Sequence, residues 1–73
     1  MTKKTAEKIS IRIDEILKET GISIGVNYRV KPETTPDYEI YILNTNILDN
    51  RYVEDENEIL EEIDSLLEQV QQL

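Results

Sequence analysis

The side chains best equipped for chemistry in this 73-residue chain are carboxylates crowded toward one end. Glu54, Asp55, Glu56, Glu58, Glu61, Glu62, Asp64 and Glu68 all lie between positions 54 and 68. Carboxylates at that density could serve in three ways. Two of them could divide general acid–base work, given a pocket that pulls their pKa values apart. Several could hold a divalent cation through oxygen ligands. Left exposed, they could meet a basic surface on another molecule.

The first two uses fit poorly. An exposed helix face in so short a chain seldom supplies a pocket that separates two carboxylate pKa values. The segment "DNRYVEDENEIL" lacks the glycine at position six and the spaced Asx ligands of a calcium loop. The chain has no histidine and no cysteine. That removes the usual base at neutral pH, thiol nucleophiles and nearly all zinc sites. Ser10, Ser23 and Ser65 lie in neither a G-x-S-x-G elbow nor an S-x-x-K motif. Gly21 and Gly25 are the only glycines, too few for a phosphate-cradling loop. The residues therefore predict no catalytic group, no cofactor and no dedicated metal site, and a protein that is not an enzyme.

The third use draws support from charge. Residues 1–36 carry seven Lys/Arg against five acids, a net of +2. Residues 37–73 carry Arg51 against eleven acids, a net of −10. A net charge of −8 opposes direct nucleic-acid binding, because phosphate neutralisation dominates that affinity. Acids at the start of a helix are favoured by its dipole. Those further along repel one another at i, i+4 spacing, and no Lys or Arg follows Arg51 to relieve them. Glu54, Asp55, Glu58, Glu61, Glu62, Asp64 and Glu68 are thus the candidate partner-binding residues. The partner they imply is a protein with a basic surface.

These side chains need elements to position them. Residues 55–72 predict a helix. Asp55 with Glu58 three residues on resembles a capping box, and Ile59, Ile63, Leu66, Val70 and Leu73 recur at spacings of four and three. Leu60 and Leu67 widen the stripe. Residues 5–20 predict a second helix with Ala6, Ile9, Ile13, Ile16, Leu17 and Thr20 on one stripe and Gly21 as its stop. Ile11 then points away from the core.

Between the helices, residues 22–30 alternate, with Ile22, Ile24, Val26, Tyr28 and Val30 on one face. That row is expected to face the helices. Gly25, within the pattern, marks a bulge, a close backbone approach or neither. "KPETTPD", residues 31–37, holds both prolines and predicts a loop. Residues 38–44 predict a second, antiparallel strand with Tyr38, Ile40 and Ile42 on one face and Glu39, Tyr41 and Leu43 on the other. Its apolar character on both faces suits a central strand. A short third strand near 47–53, with a turn at Asp49-Asn50, would make it one.

The expected fold is α+β, in the order α-β-β-(β)-α. It is a small antiparallel sheet of two or three strands with two helices packed on one face. The whole chain is read as a single small domain, with 1–4 and 72–73 frayed. Ile13, Ile16, Leu17, Ile24, Val26, Ile40, Ile42, Ile63, Leu66, Leu67 and Val70 are expected to form one buried cluster. No apolar run approaches a membrane span and no apolar segment follows the first lysines, so the chain is expected to be cytoplasmic.

The order helix, strands, helix is similar to that of the double-stranded RNA-binding domain over most of the chain. That family binds through a G-P-x-H-type loop between its first strands and a lysine-rich start to its last helix. Here those places hold "KPETTPD" and "EDENE". The resemblance implies the element order and assigns no binding residue.

Two functions follow from the residues. One is a small acidic inhibitor or regulator, of the kind met among phage and mobile-element accessory proteins, that presents its last helix to a basic partner. The other is a self-associating structural or assembly protein whose charge serves only solubility. Ile11, Tyr41 and Leu43 are the candidate self-association residues, and a weak homodimer through the sheet's outer face or edge is expected.

Overall fold

A computed structural model describes residues 1–30, 37–44 and 50–71. The first helix, α1, spans Lys3–Thr20. It begins two residues before the predicted start because the Thr2 hydroxyl accepts the Thr5 N–H at 3.2 Å and caps the first turn. It stops where expected. Gly21 turns left-handed at φ 75°, and its N–H donates to the Leu17 carbonyl at 2.9 Å.

The chain leaves α1 through a hydrogen-bonded corner. The Thr20 hydroxyl donates to the Ile16 carbonyl at 2.6 Å and accepts the Ile22 N–H at 3.1 Å. Asn44 clamps the same corner from across the sheet. Its Oδ1 accepts the Ser23 N–H at 3.0 Å and its Nδ2 donates to the Gly21 carbonyl at 2.7 Å. One amide side chain thus replaces a missing strand partner on both sides of the turn.

Strand β1 (Ile24–Arg29) pairs antiparallel with β2 (Asp37–Ile42), with Val26 opposite Ile40. Strand β3 (Arg51–Val53) pairs antiparallel on the far side of β2, with Tyr52 opposite Glu39. The order β1-β2-β3 makes β2 central, in line with its apolar character on both faces. Of the loop expected at 31–37, Asp37 instead opens β2, paired with Arg29. Residues 31–36, the strand arm at Ile47-Leu48, the Asp49 half of the turn and Leu73 lie outside the described residues.

A 3₁₀ turn at Glu56–Glu58 leads into the last helix, α2, at Ile59–Gln71. Asp55 does cap it, but through a tighter turn than the expected box. Its side chain accepts the Asn57 N–H at 2.9 Å, and its carbonyl accepts the Glu58 N–H at 3.0 Å. Regular α-helix therefore starts four residues later than Asp55.

Both helices lie on one face of the sheet, α1 against β1 and α2, and α2 against β2 and β3. Ile9, Ile16, Ile24, Tyr38, Ile40, Val53, Ile59, Ile63, Leu66 and Leu67 form the buried core, and Ile13, Val26, Ile42 and Val70 pack half-buried against it. Ile16, Ile40, Ile59, Ile63 and Leu66 are the fully buried side chains.

Two expectations about the core fail. Leu17 is 46% exposed, because α2 and the sheet together draw in the Ile9–Ile16 line of α1 instead. The row on β1 faces the helices only at its start. Ile24 is buried and Val26 half-buried, whereas Tyr28 is 59% and Val30 66% exposed, beyond the cover of the helices.

Gly25 marks no bulge, since the β1–β2 register runs through it unbroken. It marks a close approach. A Cβ added there would lie 2.5 Å from Cζ of Tyr41, its cross-strand partner. The Tyr41 ring covers the bare backbone on the outer face of the sheet and is itself half-buried by doing so.

Tyr38 is buried and lies 5.1 Å, centroid to centroid, from Tyr28. Burial, then the nearby charge of Glu56, pushes its phenol above the ordinary 10.0. The folded chain thus keeps a proton that the unfolded chain loses. Stability is intact below the ordinary tyrosine range and should fall as pH rises through it. Thermal melts between about pH 8 and 11 should show that decline, and Tyr38→Phe should flatten it.

Candidate functional site

The acidic surface grows out of the way α2 buries its stripe. With Ile59, Ile63, Leu66 and Leu67 turned inward, the opposite side must carry Glu61, Asp64 and Glu68, spaced three and four residues apart on successive turns. All three are exposed, as are Glu54, Asp55 and Glu58 at the helix entry, while Glu62 is half-buried. The seven predicted residues therefore lie along one element and its cap.

They are not equivalent. Asp64 is already engaged: its Oδ1 accepts from Arg12 Nε at 2.9 Å and lies 2.9 Å from Arg12 Nη2. Arg12 also reaches Glu15 at 3.3 Å. The hydrogen bond and charge of Asp64 hold the Arg12 guanidinium above its ordinary pKa. Relief for the acidic helix thus comes from α1, 52 residues back along the chain, rather than from a cation after Arg51. Glu56 lies 3.3 Å from the Met1 amino group. Among the described residues, Glu54, Asp55, Glu58, Glu61, Glu62 and Glu68 have no ion-pair partner. Asp55 is occupied by its cap.

The three residues assigned to self-association are not brought together. Ile11 is 59% exposed on the helical layer, in a shallow groove with Leu60, Lys8, Arg12 and Glu15. Tyr41 and Leu43 are on the opposite side of the molecule, on the outer face of the sheet. There Leu43 is exposed and Tyr41 lies over Gly25.

That outer face holds a cluster which sequence reasoning missed. Glu39 Oε2 accepts from Tyr52 Oη at 3.0 Å and from Asn50 Nδ2 at 3.2 Å, and it lies 3.8 Å from Arg29 Nη1. The Arg29 guanidinium carbon stands 5.3 Å from the centroid of the Tyr52 ring. The register that places Tyr52 opposite Glu39 and Asn27 opposite Glu39 on the other side is what assembles it. No local motif announces it. On the helix-facing side, Arg51 of β3 donates to Gln69 of α2, tying the short strand to the helix.

Among the described residues, no group of three or more Asp, Glu, His or Cys converges as a metal site. No helix there is long and apolar enough to cross a membrane.

These features define an α+β protein with a helix–three strands–helix order and one strongly acidic helix. No protein-family model, curated protein or solved structure matches the chain.

Proposed function

We propose that this chain is a non-enzymatic, cytoplasmic protein-binding module, an inhibitor or regulator that presents the acidic face of α2 to a basic surface on a partner protein. The observation that carries the reading is the set of exposed acids without an ion-pair partner, Glu54 and Glu58 at the entry to α2 and Glu61 and Glu68 on the helix itself. Mutual repulsion among them is mildly destabilising, and a basic partner would remove it. The field of such a face would also speed encounter with a cationic surface and repel nucleic acid.

The test uses the full chain and a variant carrying Glu54→Gln, Glu58→Gln, Glu61→Gln and Glu68→Gln. Each is immobilised and exposed to a native lysate at low and high salt. Wild type should retain a basic protein at low salt and release it at high salt, and the variant should retain none of it. Equal recovery by both chains would overturn the reading. Recovery of nothing but the chain itself would favour the alternative, a self-associating assembly protein whose charge serves solubility.

A further inference from the structure

We propose that β1 is a self-pairing edge. Two copies of the chain join β1 to β1 antiparallel about a twofold axis at Val26, and each seats the other's Tyr28 in the groove between its own β1 and α1. This goes beyond the acidic-face reading and does not depend on it.

The backbone supplies the first argument. The Leu43 N–H donates to the Ser23 carbonyl, and Gly25, Asn27 and Arg29 follow in register with β2. In an antiparallel ladder, hydrogen-bonded residues alternate with outward-directed ones. The N–H and C=O groups of Ile24, Val26 and Tyr28 therefore point to the outer edge. Among the described residues no strand pairs with that edge. It also carries no proline or bulge, two of the devices that keep edges apart.

The side chains supply the second. A groove of about 290 Å³ runs beside this edge, lined by Ala6, Ile9, Ser10 and Ile13 of α1 and by Ile24 and Val26 of β1. A strand added to the edge would send alternate side chains into it. Pairing centred on Val26 sets Ile24 opposite the partner copy's Tyr28, Val26 opposite Val26, and Tyr28 opposite Ile24. It is self-complementary, as a twofold interface must be. The apolar side chains that α1 and α2 leave uncovered at this end, Tyr28 and Val30, are the ones a second copy would cover. Arg29 falls opposite Ser23 rather than opposite its own copy.

The knob and the groove on the same edge point to a second copy as occupant, and charge supplies the third argument by deciding which edge two copies can share. Residues 1–30, which build α1 and β1, hold six Lys/Arg and four acids; residues 50–71, which build β3 and α2, hold Arg51 and eight acids. The sheet order puts β3 and α2 at the far side from the β1 edge. Edge pairing through β1 therefore joins the two mildly basic halves and leaves the two acidic helices at opposite ends, where their repulsion is screened. A symmetric contact through β3 or α2 would instead set one acidic half against the other.

Sedimentation equilibrium and backbone amide exchange on the full chain, from micromolar to millimolar concentration, test the proposal. A monomer–dimer equilibrium is expected, with the Ile24, Val26 and Tyr28 amides gaining protection as concentration rises. The Gly25, Asn27 and Arg29 amides, already bonded to β2, should be protected throughout. Tyr28→Lys, at an exposed position, should weaken dimerisation about a hundredfold, roughly tenfold for each of its two equivalent sites. Leu43→Lys on the outer face should leave it unchanged. A monomer at every concentration would overturn the proposal, as would an edge kept for an extended segment of another protein, which gives that same result. So would a dimer that Leu43→Lys dissolves and Tyr28→Lys does not, or amides 24, 26 and 28 whose exchange ignores concentration.

Discussion

Ile63→Ala should lower the stability of the chain by about 2–5 kcal/mol, the range for emptying a large aliphatic site in a packed interior. Ile63 is fully buried at the centre of α2, in one cluster with Ile16, Ile40, Ile59 and Leu66. A chain of this length has a total stability of only about 4–11 kcal/mol. The substitution therefore removes a large share of it. The small core offers few neighbours that could close the cavity, since among the described residues the large side chains that are fully buried are Ile16, Ile40, Ile59, Ile63 and Leu66. Urea unfolding followed by circular dichroism would measure the loss. The same truncation at Leu17, exposed on α1, should cost under about 1 kcal/mol. Equal effects at the two sites would mean that α2 does not seal the sheet as described.

The second large effect is expected at Gly21. Its φ of 75° is open to glycine and strained for a residue with a Cβ, most of all a branched one. No atom within 4 Å would meet a Cβ there, so the penalty is conformational rather than a clash. Gly21→Val should cost about 1–3 kcal/mol, and Gly21→Asn less, because asparagine tolerates the left-handed region. The corner also carries the Asn44 clamp, which accepts from Ser23 and donates to Gly21. A valine that forces the turn out of shape should therefore loosen the β1–β2 end as well as the end of α1. Thermal melts of the two variants would show it: equal melting temperatures for Val and Asn would remove the strain argument.

Much of this fold was legible because local chemistry and global packing agree. Gly21 after the Ile16-Leu17 end of a stripe reads as a stop, and it is one. Tyr41 and Leu43, apolar on the side where β1 is polar, mark β2 as central, and β3 takes its other edge. The failures share a cause: periodicity gives a direction but not a neighbour. Leu17 and Ile9 lie on the same broad stripe, and only the position of α2 decides that Ile9 is covered and Leu17 is not. Alternation puts Tyr28 on the face of Ile24, but helix length and tilt decide how far along that face the cover extends. The Arg12–Asp64 pair and the Glu39–Tyr52–Arg29 cluster depend on helix contact and strand register across 52, 13 and 10 positions. No spacing rule reaches them. The acids of α2 were legible as an exposed face from the stripe opposite them. That Asp64 is already committed within the chain was not.

The spatial order of the strands, β1-β2-β3, is also their order along the chain. Each strand finds its partner without waiting for a distant segment. Local connections of this kind keep the loop-closure entropy small and the search short. The meeting of α1 with α2, and the Met1–Glu56 ion pair, bring distant parts of the chain together. The local connections favour early contact between neighbouring strands, which the helices then cover. A protein with so small a reserve of stability would open often, yet it would close again quickly. With opening and closing both fast, its exposure to proteases would follow the equilibrium share of the open form, so each core truncation that lowers stability should speed digestion in proportion.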